Sequence, residues 1–186
     1  MTSLETLVAK TNNKHGKAVS AISRIIALKY GYSHAEAEII GQAALYHDVG
    51  KSVIPLNLLT KPGPLTEDES AIVRKHTDAG FAQIMDAAGQ LLISAEVARQ
   101  HHERLDGSGY HNISGNDISH YSRLIAVADV FDALISHRPY KEPWCVADAI
   151  RYLADSTDKF DSGIVRCLAG EIGSVMSAYK DSAVQP

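Results

Sequence analysis

The segment from Ser122 to Ile135 carries Leu124, Ile125, Val127, Ala128, Phe131 and Leu134, which make it apolar on most sides of a helix, yet Asp129 sits in its middle. A helix without a polar face has to be surrounded by other helices. A carboxylate buried there is costly to desolvate unless a cation or a hydrogen-bond donor meets it. This segment therefore asks for a helical bundle around it and a positive partner at its centre, and a metal ion is the economical one.

The rest of the chain supplies such a bundle. Ala18, Val19, Ile22, Ile25 and Ile26 recur at steps of three and four between Lys14 and Lys29, the stripe of an amphipathic helix that Gly31 ends. Ser33 with Glu36 forms a capping box for a second helix, which runs through Ile39, Ile40, Ala43 and Ala44 into His47-Asp48. Residues 56–65, LNLLTKPGPL, read as a loop, because Pro62, Gly63 and Pro64 oppose regular structure. Thr66 with Glu69 caps a helix carrying Ile72, Val73 and His76, with Gly80 and Gly89 as punctuation after it. A further helix over Leu91 to Glu103 ends in a DGSGY turn, where Gly107 and Gly109 permit positive φ. Amphipathic segments over Val146–Ala154 and Ser162–Met176 complete the core. No alternating run reads as a strand, so the expectation is an all-α single domain, with a lead-in over 1–13, the domain proper over 14–178 and a loose tail over 179–186.

Composition narrows the function classes. In 186 residues, 45% of them apolar, there is enough material for a sizeable core, which excludes a disordered tail. Eighteen Lys and Arg against twenty-two Asp and Glu give a net charge of −4 with no basic run, so no DNA partner is expected. Cys145 and Cys167 are too few and too far apart for a thiolate metal site. MTSLETLVAK has no apolar core of a signal peptide, and no stretch approaches the roughly 18 apolar residues of a membrane span, so the expected location is cytoplasmic and not in a membrane.

Nine histidines are the compositional oddity. His15, His47, His76, His101 and His102 fall on separate helices or helix ends, as do Asp48 and Asp129. His34, His120 and His137 read as surface or turn residues. Adjacent side chains on a helix point about 100° apart, so His101 and His102 suit a wide site holding more than one ion.

HDVGKSVIP, KPGPLTEDE, His76, HHERLDGSGY, RLIAVADVFDAL and RPYK follow one another in the order of the HD-GYP family. From about Lys14 to about Leu168 the chain resembles these bacterial cyclic dinucleotide phosphodiesterases, a branch of the HD superfamily of metal-dependent phosphohydrolases. The resemblance implies a helical bundle around a buried dinuclear metal centre that hydrolyses cyclic di-GMP to pGpG, with GMP as product if a second cut follows. It implies metal ligation by His15, His47, Asp48, His76, His101, His102 and Asp129, with Asp48 as the bridge. It further implies a catalytic role for Asp48 and Lys51, and phosphate binding by Lys51, Arg138 and Lys141. The cofactors it implies are two divalent transition metal ions. Imidazole and carboxylate donors without thiolate suit iron or manganese, and admit zinc, nickel or cobalt. A diguanylate cyclase (GGDEF) protein is the implied protein partner.

Three positions depart from the family pattern. The name motif reads Gly109-Tyr110-His111, which loses the fixed φ of proline and weakens the expectation of a GGDEF partner. Thr11 stands where some members place a glutamate for a third metal, so two ions are expected. Ser162 replaces a proline at a helix start, where serine also serves. Two alternatives stay open: hydrolysis of another cyclic dinucleotide or of pGpG, and a module that binds nucleotide or a partner without turnover.

Overall fold

A computed structural model describes residues 14–88, 91–137 and 142–184, and among them every regular element is helical. The helices are α1 (Lys14–Tyr30), α2 (His34–Tyr46), α3 (Leu56–Leu59), α4 (Glu67–Arg74), α5 (His76–Ala88), α6 (Leu92–Gln100), α7 (His120–Ile135), α8 (Val146–Asp155), α9 (Ser162–Gly170) and α10 (Ile172–Val184). Short 3-10 turns lie at Val49–Val53 and Gly115–Asp117.

Both capping boxes form. Ser33 Oγ accepts the Glu36 N–H while the Glu36 carboxylate takes the Ser33 N–H, and Thr66 and Glu69 do the same for α4. Gly31 closes α1 at φ +113, a conformation that only glycine adopts without strain, and its N–H bonds back to Ala27 and Leu28 carbonyls. The chain then reverses, and α2 lies along α1 closely enough for Ser20 Oγ to donate to the Gly41 carbonyl at 2.6 Å.

Helix α7 is the centre expected of it, packing against α1, α2, α6, α8 and α9. Its Leu124, Ile125, Val127, Ala128 and Phe131 join Val19, Ile22 and Ile26 of α1, Ile40 of α2 and Leu153 of α8 in the main core. A smaller core gathers Tyr46, Val49, Ile84, Ala95 and Ala98 between the end of α2, the 3-10 turn, α5 and α6. His47 and Asp48 lie in the chain between Tyr46 and Val49, at the seam of the two cores.

Several boundaries differ from the sequence reading. Residues 56–59 of the expected loop form one helical turn, because Pro55 just before it is compatible with a helix start and Thr60 Oγ1 donates to the Leu56 carbonyl. The helix after Thr66 does not run through His76. His76 Nδ1 and Thr77 Oγ1 donate to the Val73 and Arg74 carbonyls, displacing the backbone ladder so that α5 begins afresh at His76. Gly80 is no stop but lies inside α5, where its lack of a side chain admits the 3-10 turn at Gly50; Gly89 lies outside the described residues. Helix α6 ends at Gln100, since the His101 ring takes the Val97 and Ala98 carbonyls. Gly109 is not in the left-handed region; a side chain there would meet Glu103, and Gly107 at φ +78 and Asn112 at φ +56 make the turn instead. The helix expected over Ser162–Met176 breaks at Glu171, whose φ of −110 and ψ of 18 follow Gly170. The expected loose tail from 179 is helical to Val184, held where Val175, Met176 and Tyr179 pack on the main core and Tyr179 bonds Ser136 at 2.8 Å. The lead-in over 1–13, Thr11 included, lies outside the described residues.

A Cβ added at Gly50 would stand 1.9 Å from the His76 carbonyl oxygen and 2.5 Å from the Gly80 nitrogen, both rigid backbone. Gly50→Ala should therefore cost about 3 kcal/mol or more in urea denaturation. Gly173→Ala, with nothing within 4 Å of the added methyl, should be neutral or gain up to about 1 kcal/mol.

Candidate metal centre

Four helix ends or first turns and the middle of α7 converge on one carboxylate. Asp48 is buried at the end of α2, and its two oxygens face different ways. Oδ2 lies 3.3 Å from His47 Nε2 and 3.8 Å from His15 Nε2, whereas Oδ1 lies 3.4 Å from His76 Nε2 and 3.7 Å from His101 Nε2. The donor atoms of Asp48, His76, His101 and His102 all lie within 4.8 Å of one another, and so do those of His15, His47 and Asp48. Asp48 belongs to both groups. Asp129 Oδ1 joins the second through His15 Nε2, 3.2 Å away. His101 and His102 sit on a turn with ring centroids 4.1 Å apart, and donor atoms of both fall in the first group.

The fold fixes which nitrogen faces inward. A carbonyl only accepts, so His47 Nδ1 donates to Ala44 at 2.6 Å, His76 Nδ1 to Val73 at 2.7 Å and His101 Nδ1 to Val97 and Ala98 at 3.1 Å. In neutral rings each inward Nε2 then bears a lone pair. His76 Nε2 and His101 Nε2 point these at one another across 3.4 Å. His47 Nε2 and Asp48 Oδ1 are buried with no hydrogen-bond partner. Lone pairs and carboxylate oxygens gathered out of water repel unless a cation lies among them, so this donor set fits divalent metal.

The surroundings set the charge of these groups. Burial would push the Asp48 carboxyl up, but His47, Lys51 and His101 outweigh it and hold the group well below the usual carboxylate range. Asp129 is likewise lowered, against its burial, by His15 and His47. Burial pushes His102 down to about 3 and lowers His76 and His101, which keeps these rings neutral. His15 goes the other way: burial opposes its charge, but Asp129 and Asp132 raise it to about 10. Lys51 Nζ reaches Asp48 Oδ2 at 2.5 Å and is about a third exposed, at the mouth of the cluster.

The profile of the HD domain matches residues 3–164. The chain belongs to the HD-domain family. It is 43% identical over 137 residues to the cyclic di-GMP phosphodiesterase response regulator RpfG of Xanthomonas campestris pv. campestris, covering 73% of this chain and 36% of that protein. It is 41% identical over 138 residues to the 3'3'-cGAMP-specific phosphodiesterase 2 of Vibrio cholerae, covering 73% of this chain and 26% of that protein. This HD-domain chain thus spans well under half the length of the curated relatives it matches. Its fold is similar to Bd1817, an HDG"Y"P protein from Bdellovibrio bacteriovorus, with a TM-score of 0.70 at 25% identity over 91% of this chain and 57% of that one. The HD domain of phosphodiesterase PgpH from L. monocytogenes shares the fold at a TM-score of 0.65 and 16% identity, covering 97% and 98%. The HD-GYP branch read from the motifs agrees with these matches.

All seven expected ligands are therefore close to one another, and Lys51 is beside them. Arg138 and Lys141 lie outside the described residues. The sequence reading missed Asp132, a buried carboxylate one turn after Asp129, whose Oδ2 accepts from His15 Nδ1 at 2.5 Å. Its signal was present: two carboxylates three apart on the most apolar helix share a face. The reading also missed Glu103, buried among the turns after α6, where its carboxylate accepts the His111 and Ile113 N–H groups at 2.9 Å each.

Asp132 aims the His15 ring from behind, a partner whose loss typically costs 10–100-fold in metal affinity. Asp132→Asn should weaken uptake at the His15–His47 side by about that factor, while the His76–His101–His102 side stays filled. Metal titration followed by mass spectrometry reads both; unchanged binding at the two sides would contradict this role.

Proposed function

We propose that this HD-domain chain is a metal-dependent phosphodiesterase that hydrolyses cyclic di-GMP to pGpG, with GMP as product if a second cut follows. The observation that carries the reading is the split of Asp48 between two groups of inward-facing imidazoles, with buried donor atoms that no proton-bearing partner satisfies. The names of the curated relatives support the substrate class. His76, His101 and His102 with Asp48 would hold one divalent ion, and His15, His47 and Asp129 with Asp48 the other. Iron or manganese suits these nitrogen and oxygen donors. When bound, two such ions supply Lewis acidity toward a phosphoryl oxygen and a water of lowered pKa.

The chain's own residues supply the rest. Asp48 stays ionised and offers one oxygen to each side. Lys51, at the rim, presents an ammonium to a phosphoryl oxygen, where charge growing in the transition state makes it most valuable. Arg138 and Lys141 would grip the substrate's phosphates, the arginine through its planar two-pronged donor. A GGDEF protein docking near Tyr110 belongs to the same resemblance, and His111 in place of proline weighs against it. No helix among the described residues is long and apolar enough to cross a membrane. Free Cys145, which is exposed, and free Cys167 suit a reducing compartment, which supports a cytoplasmic place of action.

A second substrate has a specific observation in its favour, since three relatives carry the name of a 3'3'-cGAMP-specific enzyme. Incubating the protein with each cyclic dinucleotide in turn, and separating the products by chromatography, compares the two.

Chelation should abolish hydrolysis, and manganese or iron should restore it; full activity in metal-free protein would overturn the reading. Asp48→Ala should lose both ions together with turnover, with helicity by circular dichroism unchanged. Lys51→Ala should lower kcat by about a hundredfold while KM moves less than about threefold. Arg138→Lys should raise KM nearly as much as Arg138→Ala, because charge without the planar fork does not replace it.

A further inference from the structure

The loop that follows α6 is anchored at His111 on two opposite sides. Its backbone N–H donates to Glu103 Oε1 and the Ile113 N–H donates to Oε2, each at 2.9 Å, so one buried carboxylate holds both sides of the turn. Gly109 passes so close that a Cβ there would lie 2.5 Å from Glu103 Cα. On the other side, His111 Nε2 lies 3.0 Å from Thr77 Oγ1, on the first turn of α5 beside His76. The single hydroxyl proton of Thr77 is given to the Arg74 carbonyl at 2.9 Å, so the hydroxyl accepts and His111 Nε2–H is the donor. Asp78, 3.9 Å from the same nitrogen, is too far to compete.

Tyr110 is held between these anchors. Its ring lies 4.5 Å from the His102 ring, meets His76 edge-on at 6.3 Å and has the Arg74 guanidinium 5.8 Å from its centroid. With 37% of it exposed, one part packs on the histidines and the other faces solvent. A proline at position 111 would fix φ but could make neither bond, having no N–H and no donor in its ring. This chain holds the same place with two directional hydrogen bonds.

We propose that His111 is a positioning residue, a latch that sets Tyr110 as the wall of the substrate site on the His76–His102 side. The inference rests on the phosphodiesterase reading. Tyr110 touches the outer faces of the ring cluster and is no metal ligand, so release of the latch changes how substrate is received and leaves metal in place.

The test uses the metal-loaded full chain with His111→Ala, Thr77→Val, their double variant and His111→Gln. Cyclic di-GMP kinetics, metal content and amide hydrogen exchange of residues 106–114 are measured together. Each single variant should raise KM about tenfold, with kcat within about twofold and metal content as in the parent. The double variant should be no worse than Thr77→Val alone, because the His111–Thr77 bond is already lost there together with the Thr77 bond to the Arg74 carbonyl, and glutamine at 111, which keeps a donor at that reach, should bring KM back to within about twofold of the parent. Exchange at Ile113 should quicken in both single variants. Parental KM in both, additive losses in the double variant, or failure of glutamine to rescue would each overturn the latch. If the parent itself hydrolyses no cyclic dinucleotide, the phosphodiesterase reading fails separately. Faster exchange in both single variants would still uphold the latch, and unchanged exchange would overturn it. Should His111→Ala fail to fold, the near-isosteric Thr77→Val carries the same comparison.

Discussion

One carboxylate shared between two sets of imidazoles organises this molecule. Asp48 lies at the seam of two hydrophobic cores, and each of its oxygens is within 4 Å of two histidine nitrogens. Within it Asp48 Oδ1 and His47 Nε2 are buried with no hydrogen-bond partner. Most of the inward nitrogens are lone-pair donors fixed by backbone contacts behind them, so the cluster is complementary to cations and to little else. Everything else positions these atoms: α1 and α7 bring His15 and Asp129, α5 and α6 bring His76 and the His101–His102 pair, and α2 ends on His47-Asp48.

Three of the histidines share a device that follows from helix chemistry. The last carbonyls of a helix and those at a kink lack backbone partners. At such ends His47, His76 and His101 add Nδ1 as a second donor to carbonyls three or four residues back, some of which also accept a backbone N–H, and the contact fixes the tautomer with Nε2 facing inward. His15, in the first turn of α1 and without carbonyls behind it, uses the Asp132 carboxylate instead. The same bonds explain why the helices break where they do, since ring donors at His76 and His101 claim carbonyls that a continuing helix would use.

The bundle was legible because its signals are local. The three-and-four spacing of Ile22, Ile25 and Ile26, the two capping boxes and Gly31 each act within one turn of chain, and each formed as read. Asp129 was legible because its cost is local too: a carboxylate inside an apolar helix needs an explanation wherever the helix goes. The boundaries around His76, His101 and Gly80 were not legible, because they depend on which carbonyl a ring reaches and which turn presses on which helix. Asp132 had a helical-spacing signal, but its partner lies 117 residues away in sequence. Glu103 gave no signal at all, since its partners are backbone N–H groups in a loop whose path it determines.

The two cores and the site depend on each other in one direction more than the other. The main core is large and continuous, and its α1, α2 and α7 would pack on one another whatever stood at position 48. The smaller core is built from five buried residues, and it carries His76 and borders His101. Its packing relies on the close approach of Gly50 to α5 and on little apolar surface, so local opening should begin there before it reaches α7. Cations that bridge Asp48 would tie this weaker half to the stronger one through His15, His47 and Asp129, and binding to the folded state alone adds stability in proportion to the logarithm of metal concentration. On this account bound cations would fasten two halves that apolar contacts join unequally, at the same shared carboxylate that the proposed chemistry needs.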